Sequence, residues 1–220
     1  MAMLAWSGSS AEGRLWLAGA ETSPGNHYVY AGVLLPAFGG NLGEGLVQRY
    51  WLDRQTYRYD SDSRIIEAEA YGAEAALGYA RPTDGGNLVT YLGLLYRDTE
   101  LTPRDPGNAA SGGNVRVKAQ VESNTRLEAG WELGLMGSYI FGQKGYWGRA
   151  RLGQPLANGL QTGPEFLVQG DPEYRVAQAG WFLSGLALGP RTELGLKAGV
   201  RMQHGEGRSG YLGLELTGLF

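Results

Sequence analysis

The chain has no cysteine and only two histidines, His27 and His204. A disulfide framework and any thiolate metal site are thereby excluded. Two histidines without a spaced carboxylate pair make no metal motif, and nothing calls for a cofactor. No run approaches the 18 or so uninterrupted apolar residues of a membrane-spanning helix. Charge of one sign is missing too: 19 Lys and Arg face 22 Asp and Glu, a formal balance of −3, which leaves no electrostatic footprint for nucleic acid. The opening MAMLAWSGSSAEGR has no basic stretch followed by an apolar one, so no signal peptide is visible. Glycine-rich stretches such as GVLLPAFGGNLGEG do not lead from a strand into a helix, which argues against a phosphate loop.

What the chain does have is glycine, 37 of 220 residues and more than twice the usual share of about 7%. No collagen-like period accounts for it. The 13 Tyr and 6 Trp outnumber 5 Phe, so amphipathic rings dominate over purely apolar ones. The length fits one domain, because all-β barrels and sandwiches often reach this size undivided.

Strict alternation runs almost everywhere, and helical periodicity almost nowhere. In NVRVKAQVE, Val115, Val117, Ala119 and Val121 oppose Arg116, Lys118, Gln120 and Glu122. In ELGLKAGVRMQ, Leu194, Leu196, Ala198, Val200 and Met202 oppose Glu193, Lys197, Arg201 and two glycines. YWGRARLGQ sets Tyr146, Ala150 and Leu152 against Trp147, Arg149 and Arg151. A soluble sandwich or a lipocalin-like barrel also alternates, with the charged parity facing water. Here that parity mixes Gly, Ser, large rings and both charges, which suits a crowded polar lumen. The apolar parity carries rings near strand ends, Trp131 and Tyr139 to Phe141 in WELGLMGSYIF, as the girdles of a membrane barrel do.

Segments near 14–22, 26–36, 46–59, 65–80, 87–101, 114–123, 130–142, 145–156, 160–170, 174–188, 192–204 and 209–220 give about twelve strands. The expected fold is all-β: a closed antiparallel transmembrane barrel over 14–220, with 1–13 an N-terminal extension or a remnant of added sequence. An even strand count puts both termini on the periplasmic side of a bacterial outer membrane, the signal peptide having been removed. Connections carry turn residues and are short (SPGN, DSDS, GQKG, LANG, GDPE, LGPR), apart from LTPRDPGNAASGG, which is expected outside the cell. Phe220 shares the lipid-facing parity of SGYLGLELTGLF. It is expected where the last strand must pair with the first, since an open edge in lipid leaves backbone groups unsatisfied. A terminal aromatic after an alternating strand also resembles the signal by which such barrels reach their insertion machinery.

The inward parity collects Arg49, Asp53, Glu74, Arg116, Lys118, Glu122, Glu132, Arg149, Arg151, Glu165, Lys197, Arg201 and Glu215. Comparable numbers of both signs imply pairing across neighbouring strands, because buried charges are costly unless paired. A sharper reading is a polar path lined by Arg149, Arg151, Lys197 and Arg201, with Trp51 and Trp147 as sugar-stacking platforms. VQRYWLDRQTYRYD reads as an aromatic girdle on one parity with lumen charges on the other, or as a carbohydrate-contacting wall. His204 with Glu206 and Ser209, or His27, imitates the set of a rim-active lipid hydrolase. HGEGRS is more simply a tight turn.

VQRYWLDRQTYRYD, YLGLLYRDTELTPRDPGN, SYIFGQKGYWGRARL, QGDPEYR, LGLKAGVR and SGYLGLEL together resemble the cellulose biosynthesis protein BcsS family of proteobacteria, from about residue 15 to the C terminus. The resemblance implies an outer-membrane accessory of a cellulose synthase system and brings no catalytic residues. Expected partners are outer-membrane lipid, the barrel-insertion machinery, cellulose or another glucan, and secretion components. Three functions follow: a non-enzymatic accessory to cellulose or exopolysaccharide secretion, a small channel for oligosaccharides or polar solutes, and a rim-active hydrolase. The first is preferred.

Overall fold

The computed structural model describes residues 13–38, 40–61, 64–108 and 110–220; most of the expected N-terminal extension lies outside them. Twelve strands follow in chain order: β1 (Leu15–Ser23), β2 (Asn26–Pro36), β3 (Gly45–Ser61), β4 (Arg64–Thr83), β5 (Gly86–Thr102), β6 (Gly112–Arg126), β7 (Glu132–Ile140), β8 (Gly145–Pro155), β9 (Gln161–Gly170), β10 (Arg175–Gly189), β11 (Thr192–Gln203) and β12 (Gly207–Leu219). Each expected segment ends within three residues of its strand. Every strand pairs antiparallel with its sequence neighbours, and β1 pairs with β12, closing the barrel. Closure runs to the last residue: Phe220 donates its backbone N–H to the Arg14 carbonyl at 2.9 Å, and Arg14 donates to the Phe220 carbonyl at 3.2 Å.

Alternation decides which way each side chain points. Large apolar residues on the outward parity are exposed, Val115 by 66%, Leu52 by 63% and Leu92 by 62%, in a continuous band far too large for an ordinary wetted surface. On β4 the band lies between outward Tyr79 and Tyr71, with Arg81 beyond one ring and Glu69 beyond the other. Eight residues at ~3.3 Å, tilted ~40°, span roughly 20 Å along the barrel axis, close to the ~25 Å apolar band of a membrane barrel. Above it, Glu69 accepts from the Tyr71 hydroxyl at 2.5 Å and from Arg54 Nε at 2.8 Å, a polar cluster on the outer wall.

Large inward side chains need small partners on the next strand, and the register supplies them. Gly19 faces Tyr30, Gly32 faces Trp51 and Gly78 faces Tyr91. A Cβ built at Gly32 would run into the Trp51 ring, and one at Gly78 into the Tyr91 ring. Much of the glycine excess therefore makes room for rings inside a narrow tube.

Two expectations need correction. The connections are not all short apart from one: the described residues between β2 and β3, 37, 38 and 40–44, also fold back at the end where the termini lie. Ala37 donates to the Leu46 carbonyl at 2.8 Å, and Gly40 to the Ala37 carbonyl at 3.0 Å. Leu42 of that loop is buried with Leu15, Leu17, Val47, Ala80, Val89 and Tyr91. Nor is the interior polar throughout, because this cluster forms a dry apolar stopper in the terminus end. The loop can fold inward because its apolar side chains gain more by meeting the apolar inner ends of β1, β3, β4 and β5 than by staying in water.

Candidate functional site in the lumen

All thirteen sequence-derived lumen charges lie on the inward parity of their strands. The middle of the tube is an ion network. Arg149 (β8) reaches Glu215 (β12) at 2.9 Å and Glu165 (β9) at 3.7 Å. Arg151 binds Glu215 at 2.8 Å and is paired with Glu165. Lys197 (β11) bridges Glu21 (β1) at 2.6 Å and Glu165 at 3.6 Å. Across the tube, Arg49 (β3) holds Glu74 (β4) at 2.5 Å and Glu122 (β6) at 3.3 Å, and Lys118 holds Glu74 at 2.7 Å. Arg49 and the Arg149–Glu165–Glu215 set have almost no exposed surface, at most 4%.

Pairing is not confined to neighbouring strands, as the sequence had suggested. Three strands separate Arg149 from Glu215, and two separate Arg49 from Glu122. In a twelve-stranded tube filled from all sides, long inward side chains meet across the lumen as easily as along the wall. Removed from water, each carboxylate is held by at least two cations or by a cation and an amide; Gln120 donates to Glu122 at 2.5 Å.

Beyond this layer, toward the hairpin end opposite the termini, lies a chamber of about 190 Å³. Its floor includes Arg49, Lys197 and Glu215, and its wall reaches Ala110, Gln143 and Asp171 of the hairpin loops. Asp53, paired with Arg97 at 2.5 Å, lines it together with Trp51 and Trp147. Trp51 is buried, stacked on Tyr30 with ring centroids 4.7 Å apart, whereas Trp147 is half-buried. Lys118 lines it as well, but the remaining predicted residues do not gather there. Arg149 and Arg151 belong to the ion layer. Arg201 is held by Ser23 at 3.0 Å, by Gln203 at 2.8 Å and by the Tyr174 hydroxyl. Glu132 stands near the terminus end with Gln161 at 2.9 Å, and Arg116 sits half-buried on β6.

Sequence reasoning missed the ring of loop contacts over the chamber. Tyr174, in the β9–β10 turn, crosses to Tyr57 of β3 with ring centroids 4.7 Å apart. Burial pushes its phenol up to about 12, so it stays protonated at neutral pH. Tyr59 donates to Asp105 of the β5–β6 loop at 2.9 Å and accepts from Asn108 at 2.6 Å. In VQRYWLDRQTYRYD rings and charges therefore share the inward face, contrary to the expected split by parity: Arg49, Trp51, Asp53, Tyr57 and Tyr59 all point inward. The rim set does not assemble. His204 lies in the turn, Ser209 faces inward opposite Arg201, and no side-chain hydrogen bond joins His204 to Glu206 or Ser209 among the described residues. His27 Nδ1 sits 2.8 Å from the Thr22 hydroxyl.

A closed tube with hydrocarbon-like residues outside and paired charges inside defines a β-barrel of the outer-membrane type. The chain belongs to the cellulose biosynthesis protein BcsS family, whose model matches residues 15–220. Several solved structures resemble it, two KdgM porin structures among them. A KdgM porin superposes with a TM-score of 0.59 at 10% identity, covering 94% of this chain and 99% of that one. A KdgM porin in complex with disordered oligogalacturonate superposes with a TM-score of 0.56 at 10% identity, covering 91% and 97%. At that identity the likeness is one of fold. A search of curated proteins finds no match.

Proposed function

We propose that this protein is a non-enzymatic outer-membrane barrel that assists cellulose or related exopolysaccharide secretion, with its own lumen closed to a threading polymer. The observation that carries the reading is the wall-to-wall ion layer, Arg149 to Glu215 and Arg49 to Glu122, backed by the Leu42 stopper. A polymer passing through would have to strip both. The family supplies the cellulose context, and the apolar band supports placement in outer-membrane lipid. Both termini and the five connections beside them are assigned to the periplasm, and the six hairpins at the other end to the outside. Phe220 is assigned to recognition by the insertion machinery, and the two rims to contacts with glucan or secretion components. A clean deletion strain tests the role: cellulose export should fall, and unchanged export would remove it.

A small channel for polar solutes is the second reading, favoured by the chamber on one side of the ion layer. Planar-bilayer recording separates the two. The closed barrel gives no steady current, whereas a channel gives one that Arg149 substitutions alter.

A further inference from the structure

Resting on that reading for the identity of the polymer, we infer that the hairpin-end chamber binds the end of a neutral glucan chain. Its shape is the first argument. Hairpin-loop residues such as Gln143 and Asp171 line one end of it, and Arg49, Lys118, Lys197 and Glu215 of the ion layer line the other. At about 190 Å³ it is smaller than the ~300–1,000 Å³ of sites that enclose a drug-sized ligand. It takes a sugar ring or two and admits no through-going strand.

The chemistry of the wall gives the class of ligand. Four carboxylates stand against four cations, and each cation is already paired: Arg97 with Asp53, Lys197 with Glu21, and Arg49 and Lys118 with Glu74. A polyuronate would find no uncommitted positive charge, while sugar hydroxyls can still hydrogen-bond to groups that are charged in place. Gln55 and Gln169 on the same wall offer both donors and acceptors, the mixture a hydroxyl needs. Tyr30, buried on the wall, has a hydroxyl with no hydrogen-bond partner among the described residues. Trp147, half-buried and inward, supplies an indole face for the apolar side of a pyranose, with Tyr28 and Tyr57 around it. Rings for sugar faces, amides for hydroxyls and a neutral charge sum together fit an uncharged glycan.

The test is titration calorimetry on the full chain folded in detergent, with cellotetraose as the probe and tetragalacturonate as the charged comparison. Cellotetraose should bind saturably and tetragalacturonate should not. Trp147→Ala should weaken binding about tenfold, the loss of one stacked ring at ~1.4 kcal/mol. Gln169→Leu should weaken it several-fold, and Trp131→Phe, in the β6–β7 connection and outside the chamber lining, should leave it unchanged. Heat-modifiable gel mobility identifies the folded variants, so that Gln169→Leu decides if Trp147→Ala does not fold. No saturable cellotetraose binding, equal or tighter tetragalacturonate binding, or wild-type affinity in folded Trp147→Ala would overturn the assignment. Impaired export in the deletion strain, together with a purified wild-type barrel that ignores cellotetraose, sinks the chamber alone; normal export in the deletion strain sinks the accessory role instead.

Discussion

Arg149 shows what the lumen asks of a single side chain. Its guanidinium contacts two carboxylates from two other strands and the Met136 sulfur, with no exposed side-chain surface. Removing one member of such a pair leaves the other buried and uncompensated. Arg149→Leu should therefore cost about 3–5 kcal/mol of stability, read from urea unfolding in detergent. Arg149→Leu combined with Glu215→Leu should cost clearly less than the sum of the two single changes, because no lone charge remains. The inward direction of Arg149 was legible in the alternation of YWGRARLGQ. Its partner was not, since 66 residues separate it from Glu215 and no local pattern encodes a contact across a tube.

At the scale of elements, strand and loop behave differently. Each strand is specified by its own period of two, which is why its limits could be read from the chain to within a few residues. The register between strands was hidden, and with it the pairing of glycines with rings. Gly32→Val should displace Trp51 from its stack on Tyr30 and destabilise the barrel by about 1–3 kcal/mol, measured in the same urea experiment. The stretch between β2 and β3 carries no local signal that sets it apart from a short connection. Only the apolar inner ends of four strands, brought together by closure, turn Leu42 into a core residue. Leu42→Ala should cost about 2–5 kcal/mol yet leave bilayer conductance at the wild-type level, because the ion layer above stays shut. A steady current in that variant would mean that the stopper, and not the ion layer, closes the tube.

For the whole molecule the governing contrast is between outside and inside. Leu94 lies near the middle of the outward band, and Glu67 lies beyond its edge on β4. Leu94→Arg should destabilise the lipid-inserted barrel by about 2–4 kcal/mol, while Glu67→Arg should change it by about 0–1 kcal/mol. Equal effects at the two sites would contradict the placement of the band in hydrocarbon. The sequence by itself determined the strand count, the outward and inward sets, and closure at Phe220, because each depends on a local alternation that every strand carries alone. Tertiary structure decided who pairs with whom, where the interior is dry, and where a chamber survives. Those outcomes arise only when side chains from distant strands compete for the same enclosed space.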